Sequence, residues 1–451
     1  MKRLIDYFLL DWKKRTLRKP LLLRGARQVG KTHSVRTLGK SFPHFIEINL
    51  EFNEAARLII EKDFDIDRIL VQLSELLQKK IEPGKTLLFL DEIQSAPKAL
   101  IALRYFYEQI PELHLIAAGS LLELAIDQVG MPVGRVATFY MYPLTFIEFL
   151  VALDHACWAR AIIENPDRPV SEPLHEKLMT LVGIYVAIGG MPEAVSNWIK
   201  TNSTRSVKSV HSDLLYTYEQ DFGKYARKHQ IKYLHMIFLK AVEQLSHKFM
   251  YARINGYQKR ELEPALELLQ KAGLLYKVMK SSGQGVPIGA HADIHDFKII
   301  LLDVGLTQSL LKLDLAQLIT DPLAAFVNKG ELIEAFVGQE LLAYSDPIRK
   351  EELYYWRRDS RGSQAEEDYL IQLQHYVVPI EVKSGVHKRI KSMHVFLEAH
   401  PQSPYGIRYW AGQQIQEEKI MSYPLYAIAK PILAVNTMLR EAFQELMSQS
   451  N

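Results

Sequence analysis

PLLLRGARQVGKT, residues 20–32, joins a short apolar run to a loop that begins and ends its spacing on glycine and closes with Lys-Thr. The first half has the composition of a buried strand. The second, GARQVGKT at 25–32, fits G-x-x-x-x-G-K-[ST]. Gly25 and Gly30 permit backbone conformations and close approach that a side chain obstructs. From Gly25 through Ala26, Arg27, Gln28 and Val29, successive N–H groups can wrap an anion at a helix N-terminus, where the dipole favours negative charge. Lys31 reaches the β- and γ-phosphates, and Thr32 offers its hydroxyl to Mg²⁺. A chance glycine turn before a helix is the alternative, and the strand–loop–helix context disfavours it. ATP with Mg²⁺ is the expected ligand.

Outward from that loop, residues 20–145 alternate apolar runs with amphipathic stretches, the rhythm of an α/β domain with a parallel sheet. The expected strands are PLLLRG (20–25), HFIEINL (44–50), KTLLFLD (85–91), LHLIAAG (113–119) and VATFYMY (136–142). TLLFLDEIQ carries adjacent acids, Asp91 and Glu92, at the C-terminal end of a strand. With the loop upstream, Asp91 is expected to hold Mg²⁺ and Glu92 to polarise the attacking water. The intervening run HFIEINL suggests the ATPase branch with a strand inserted between loop strand and acid strand. Ser120, after LHLIAAG, is either a γ-phosphate sensor or a helix N-cap. Arg135 is either a phosphate contact, from this chain or a neighbour, or an ordinary structural arginine.

Composition bounds the rest. The chain has 451 residues, enough for two to four domains, with 48% hydrophobic and 24% charged residues. A net charge of +3 does not argue for nucleic acid. A single cysteine, Cys157, excludes an internal disulfide framework and suits a reducing, cytoplasmic location. No run approaches the roughly 20 apolar residues of a membrane span, so no membrane insertion is expected.

The expected organisation is a P-loop ATPase domain at 1–145, a helical lid at 146–230, a winged-helix-like segment at 231–305 and an α/β domain at 306–451, in which the helix ELIEAFVGQELLAY follows DPLAAFVNKG (321–330). In the third segment, LLYKVMK and FKIILLD are expected as a hairpin, and KRELEPALELLQKAG takes the recognition-helix position. That helix mixes Lys259, Arg260 and Lys271 with Glu261, Glu263 and Glu267, whereas groove-reading helices need a one-sided positive face. A packing module or protein interface is the alternative. DNA contact is left to the wing or to the basic segment DWKKRTLRK near the N-terminus.

GARQVGKT, INLE, LLFLDEIQ, LIAAGS, GR followed by YPLTFIEF, GGMPEAV and LLDVGL occur in the order of prokaryotic AAA-type ATPases that carry a C-terminal domain of unknown function. The chain resembles that family over nearly its whole length. The resemblance implies ATP binding by Gly25 to Thr32, with Asp91 and Glu92 in the roles given above. It names no biological substrate.

In the last domain, the strand-like runs DYLIQL and VVPIEVK each carry an acid, Asp368 and Glu381, and Lys383 follows two residues later. A tight hairpin through Gln374 and His375 sets the two acids opposite each other, and strand parity adds Lys383 to their face. A one-residue slip would separate them. Facing acids repel unless a cation offsets them, and oxygen ligands suit Mg²⁺. A solvated Glu–Lys strand is the ordinary alternative. The order helix (ELIEAFVGQELLAY), three strands, helix (RIKSMHVFLEAH) and strand (YGIRYW, then YPLYAIA) resembles the PD-(D/E)XK nuclease fold. That resemblance implies metal on Asp368 and Glu381, completed by Glu334 or Glu340, and a water-activating Lys383. Glu367 stands where that fold carries proline.

The sequence therefore leads to an α/β chain whose ATPase domain regulates a nuclease-like domain. Two alternatives stand beside it. One is an ATP-regulated, metal-dependent DNA nuclease. The other is a non-catalytic switch that binds nucleic acid, a protein partner or a second copy of the chain.

Overall fold

The computed structural model describes residues 1–164, 168–313, 319–320, 329–358, 365–385 and 390–448. Residues 321–328 of DPLAAFVNKG, and 165–167 within the expected helical lid, lie outside them. The chain divides into two compact units. The first is Met1–Tyr142 with Lys271–Gly273 and Asp346–Lys350; the second comprises Pro143–Gln270, Leu274–Ser345 and Glu351–Asn451.

The first unit is built on five parallel strands, β1 (Leu21–Arg24), β2 (His44–Asn49), β3 (Thr86–Asp91), β4 (His114–Ala118) and β5 (Ala137–Tyr140), in the order β2-β3-β4-β1-β5. Each lies inside one of the five apolar runs identified in the sequence. β3 and β4 are buried at every position. Such continuous apolar text is what a strand covered on both faces requires. Leu88, Leu90 and Leu115 pack with Ile69, Leu73, Leu100, Leu103 and Phe106 from the helices Ile66–Leu77 and Pro97–Gln109. Asp65 starts the first of these by accepting the Arg68 N–H. β4 stands between β1 and β3, so a strand is inserted between the loop strand and the acid strand; it is not HFIEINL, which forms the edge strand β2.

The N-terminal helix Leu4–Lys14 buries Leu4, Ile5, Phe8, Leu9 and Trp12. Three basic residues at and after its end are engaged within the unit. Lys13 donates to the Ser41 carbonyl at 2.7 Å, Arg15 pairs with Asp11 at 2.6 Å, and buried Arg18 donates to the Glu112 carbonyl at 2.9 Å.

The second unit opens with helices, among them Phe146–Ala152, Glu172–Ile188 and Thr204–Tyr225. An eight-stranded mixed sheet follows, in the order β12-β13-β11-β10-β9-β8-β6-β7. Its strands are β6 (Leu275–Ser281), β7 (Ala292–Leu301), β8 (Leu353–Arg357), β9 (Glu366–Leu373), β10 (Tyr376–Lys383), β11 (Gly406–Trp410), β12 (Ile415–Glu417) and β13 (Ile420–Pro424). β6 and β7 form the expected antiparallel hairpin, but β6 also pairs in parallel with β8. The strands expected as a wing thus belong to the same sheet as the acid-bearing strands. The helix Lys259–Lys271 buries Leu262, Ala265, Leu266 and Leu269. Two of its acids are engaged locally: Lys259 pairs with Glu263 at 3.3 Å, and Glu261 accepts from the Tyr233 hydroxyl at 2.9 Å.

One expected strand is corrected. YPLYAIA contributes only its first two residues to β13, because Leu425–Ala427 turn into a 3₁₀ helix. The ladder instead begins at Ile420, and a short β12 pairs with it. No helix among the described residues is long and apolar enough to cross a membrane.

Candidate functional site

β1 delivers the chain into the glycine loop at a place with no room for a side chain. A Cβ on Gly25 would lie 2.3 Å from the Met141 carbonyl oxygen. Gln28 (φ +64°) and Gly30 (φ +105°) take left-handed conformations, and Gly30 then caps the helix Lys31–Gly39. Ala26 and Val29 are buried, so the loop is packed from behind. Arg3 anchors it with two bonds, to the carbonyls of Val29 at 2.8 Å and Tyr142 at 2.7 Å.

Lys31 lies under this loop and donates to the carbonyls of Gly25 at 2.9 Å and Ala26 at 2.8 Å. Burial pulls its ammonium down to about 8; Glu92 and Asp91 oppose that, and Arg27 adds to it. The Thr32 hydroxyl donates to Asp91 Oδ2 at 3.0 Å. Burial pushes the Asp91 carboxyl up, against the bond from Thr32. Hydroxyl and carboxylate therefore meet where the sequence asks for Mg²⁺, and a cation there would favour the ionised carboxylate.

Glu92 leaves β3 in a left-handed conformation (φ +52°), and its N–H donates to Asp91 Oδ1 at 3.1 Å. Its carboxylate accepts from the Gln94 side-chain amide. Ser120 is buried just beyond β4, and it does not cap the following helix, whose N-cap is Leu121 with no side-chain bond. Arg135 is not gathered with these groups in the structure. It pairs with Glu108 at 2.9 Å and is about half exposed. Arg135 and Arg104 together hold the Glu108 carboxyl below its ordinary range.

On the second sheet the expected register is present. Val377 pairs with Gln372 and Ile380 with Tyr369 across a turn at Gln374 (φ +56°) and His375. The ladder ends there, and just beyond it the Asp368 carboxylate reaches across to β10 and accepts the Val382 N–H at 2.7 Å. Glu381 pairs with Lys383 and accepts from the Ser392 hydroxyl at 3.1 Å. The Asp368 carboxyl is pushed well up by burial and by the charges of Glu334 and Glu381. Glu334 joins this group and Glu340 does not. Both Glu340 oxygens accept the Phe146 N–H, at 3.0 and 3.1 Å, and burial lifts its carboxyl to about 8.

Three residues of this cluster had no role in the sequence reading. Lys298, on β7, is 2% exposed and bonds Glu334 at 3.0 Å and Glu366 at 2.6 Å. Glu367 is fully buried, with the Ser392 hydroxyl and the Lys383 ammonium as the groups that favour its charge. Its charge is disfavoured by burial and by Glu381 and Asp368. A lysine inside the apolar run FKIILLD and the acid pair before Asp368 were the available signals. Among the described residues no group of three or more Asp, Glu, His or Cys is arranged to hold a metal ion. Asp368, Glu381 and Glu334 therefore do not make the expected metal set, and the Lys298 ammonium sits against Glu334.

Residues 17–150 match the family model of an AAA domain. That stretch is an AAA domain. Residues 179–317 and 329–427 match two further models, both described as domains of unknown function. No curated protein matches the chain. Among solved structures, a Walker-type ATPase of Pyrococcus abyssi is 15% identical, with 68% of this chain and 95% of that one covered and a TM-score of 0.42. PCH-2 of C. elegans is 14% identical, with coverage of 46% and 66% and a TM-score of 0.26. The Orc1 protein of Aeropyrum pernix, in complex with DNA, is 14% identical, with coverage of 71% and 91% and a TM-score of 0.26. In the AAA domain of this chain, the loop at 25–32 and the acids at 91 and 92 fall on one end of the parallel sheet, beyond the C-terminal ends of β1 and β3.

Proposed function

We propose that the chain binds and hydrolyses Mg²⁺–ATP in its AAA domain and that nucleotide state regulates the second unit. The observation that carries this reading is the meeting of Lys31, Thr32, Asp91 and Glu92 around one loop. Lys31 would exchange two loop carbonyls for the β- and γ-phosphates, and the charges of Glu92 and Asp91 favour its ammonium form against burial. Thr32 and Asp91 would hold Mg²⁺, which supplies charge neutralisation on the phosphates. Glu92 would accept the proton of the attacking water, and Ser120 would contact the γ-phosphate. Arg135 can act only after leaving Glu108.

Glu92→Gln tests the chemistry. It should keep Mg²⁺–ATP and hydrolyse it roughly 10²–10⁴-fold more slowly, because an amide cannot take the proton. Unchanged turnover would remove Glu92 from this role. Regulation is tested by hydrogen exchange in the second unit, with and without ATP in the Glu92→Gln chain.

For the second unit, a binding role is favoured over cleavage by Lys298, which supplies positive charge where the nuclease reading needs a metal. Purified chain with Mn²⁺ on linear, circular and single-stranded DNA, with and without ATP, separates the two. Retention of DNA without cutting supports binding; cutting that disappears in Lys383→Ala supports a nuclease.

A further inference from the structure

Gln94 occupies a position for which the reading of Glu92 as the base has no use. β3 ends at Asp91, and the left-handed turn at Glu92 (φ 52°, ψ 47°) sends the chain into the 3₁₀ turn Ile93–Ser95. A non-glycine residue in that conformation must be supported by its surroundings. The turn folds Gln94 back beside the Glu92 carboxylate, to which its amide nitrogen donates. The amide orientation follows from chemistry, since a carboxylate only accepts.

The other end of the same amide is equally constrained. Gln94 Oε1 is buried without a hydrogen-bond partner, against the backbone of Gly119. A Cβ on residue 119 would lie 2.0 Å from that oxygen, with Gln94 Cδ and Leu122 Cγ next at 3.2 Å. Gly119 ends the β4 run and precedes Ser120. A buried amide oxygen left unpaired is unfavourable, and such groups recur where function requires them.

We infer that Gln94 is a positioning residue, a strut between Gly119 at the end of β4 and the Glu92 carboxylate at the end of β3, which aims that carboxylate at the attacking water. This rests on the reading of Glu92 as the base. The strut requires a side chain of glutamine length at 94 and the absence of one at 119. It also makes the aim of Glu92 depend on where the end of β4, and with it Ser120, stands.

The test is a kinetic double-mutant cycle on the full chain. Gln94→Ala frees the carboxylate, and Gly119→Ala displaces the amide without touching Glu92. Gly119 is not in the left-handed region, and the nearest atoms an alanine there meets are those of the Gln94 amide, then Leu122 Cγ. Each variant should lower kcat for ATP hydrolysis on the order of 10-fold, part of what a general base contributes, with KM for ATP within about twofold. The double variant should be no slower than the worse single one, because both changes break one strut. Losses that multiply, or a KM that rises with kcat unchanged, overturn the strut, as does full activity in Gln94→Ala. Glu92→Gln is run alongside. If it is inactive while both strut variants match the wild type, only the strut fails; if it is fully active, the assignment of the base fails and the strut with it.

Discussion

Lys298→Met should loosen the second sheet, and the cost can be worked from the site. The ammonium is 2% exposed, bonds Glu334 at 3.0 Å and Glu366 at 2.6 Å, and lies 5.0 Å from the centre of the Tyr355 ring. Methionine keeps most of the volume and removes the charge. Breaking a buried pair by deleting one partner costs about 3–5 kcal/mol, roughly a 10²- to 10³-fold or larger change in an opening equilibrium. A chain of two units is not a two-state system, so the readout is hydrogen exchange at the β7 and β9 amides. The effect has a direction in pH. Burial already raises the Glu334 and Asp368 carboxyls. Without Lys298 they should rise further, so the folded variant holds protons that the unfolded chain releases. Its stability is then retained at low pH and lost as pH rises. Protection should fall far more at pH 8 than at pH 5.5, and adding Glu334→Gln should restore part of it. Equal loss at both pH values, or no loss at pH 8, would refute the reasoning. So would a gain in wild-type protection on adding Mn²⁺, which would mean that these acids still take a metal.

Three further outcomes are expected. Lys31→Ala should abolish ATP binding, measured by calorimetry, while circular dichroism stays that of the wild type; wild-type affinity would remove the loop from nucleotide binding. Asp368→Ala should leave ATP hydrolysis unchanged, since it stands on the second sheet and not at the glycine loop; a matching loss of turnover would show that the two are coupled. Glu340 has a folded carboxyl near 8 against an ordinary 4.5, so its stabilising effect is complete below about 4.5 and is lost as pH rises through 8. Glu340→Gln should flatten that decline, worth up to about 5 kcal/mol for a fully buried group, in exchange at the helix Phe146–Ala152; an unchanged pH slope would show that Glu340 does not titrate there.

The nucleotide loop was legible because its groups are contiguous. Eight residues carry the glycines, the lysine and the hydroxyl, and the two acids close one apolar strand. The sheet followed for the same reason, since buried parallel strands are written as unbroken apolar runs. The second sheet was legible only in part. The register of β9 and β10 depends on a two-residue turn and was available locally, whereas Lys298 reaches Glu334 from 36 residues away. Its place inside the apolar run FKIILLD marks that lysine locally, but nothing local names its partner. Gln94 was quoted in the sequence reading without a role, because its partner Gly119 is brought to it only by the pairing of β3 with β4.

The same distinction explains two motifs that the family resemblance supplied without chemistry. GGMPEAV and LLDVGL meet in the fold, where the Asp303 carboxylate accepts the Gly190 N–H at 2.6 Å across 113 residues. A Cβ on Gly189 would lie 2.1 Å from Asp303 Oδ1, and one on Gly305 would lie 2.5 Å from the Ile188 carbonyl oxygen. Asp303 also accepts the Leu306 N–H at 3.0 Å, starting the helix Val304–Leu310. Burial pushes its carboxyl up to about 6, against the opposing pull of the backbone N–H groups of Gly190, Leu306 and Gly305. Glycines that admit a carboxylate, and a carboxylate satisfied by backbone donors, make a joint between two helices. An invitingly placed aspartate in a motif therefore belongs to packing when its oxygens are fully used by the backbone, and to chemistry when, like Asp91, it faces a hydroxyl that a ligand can displace.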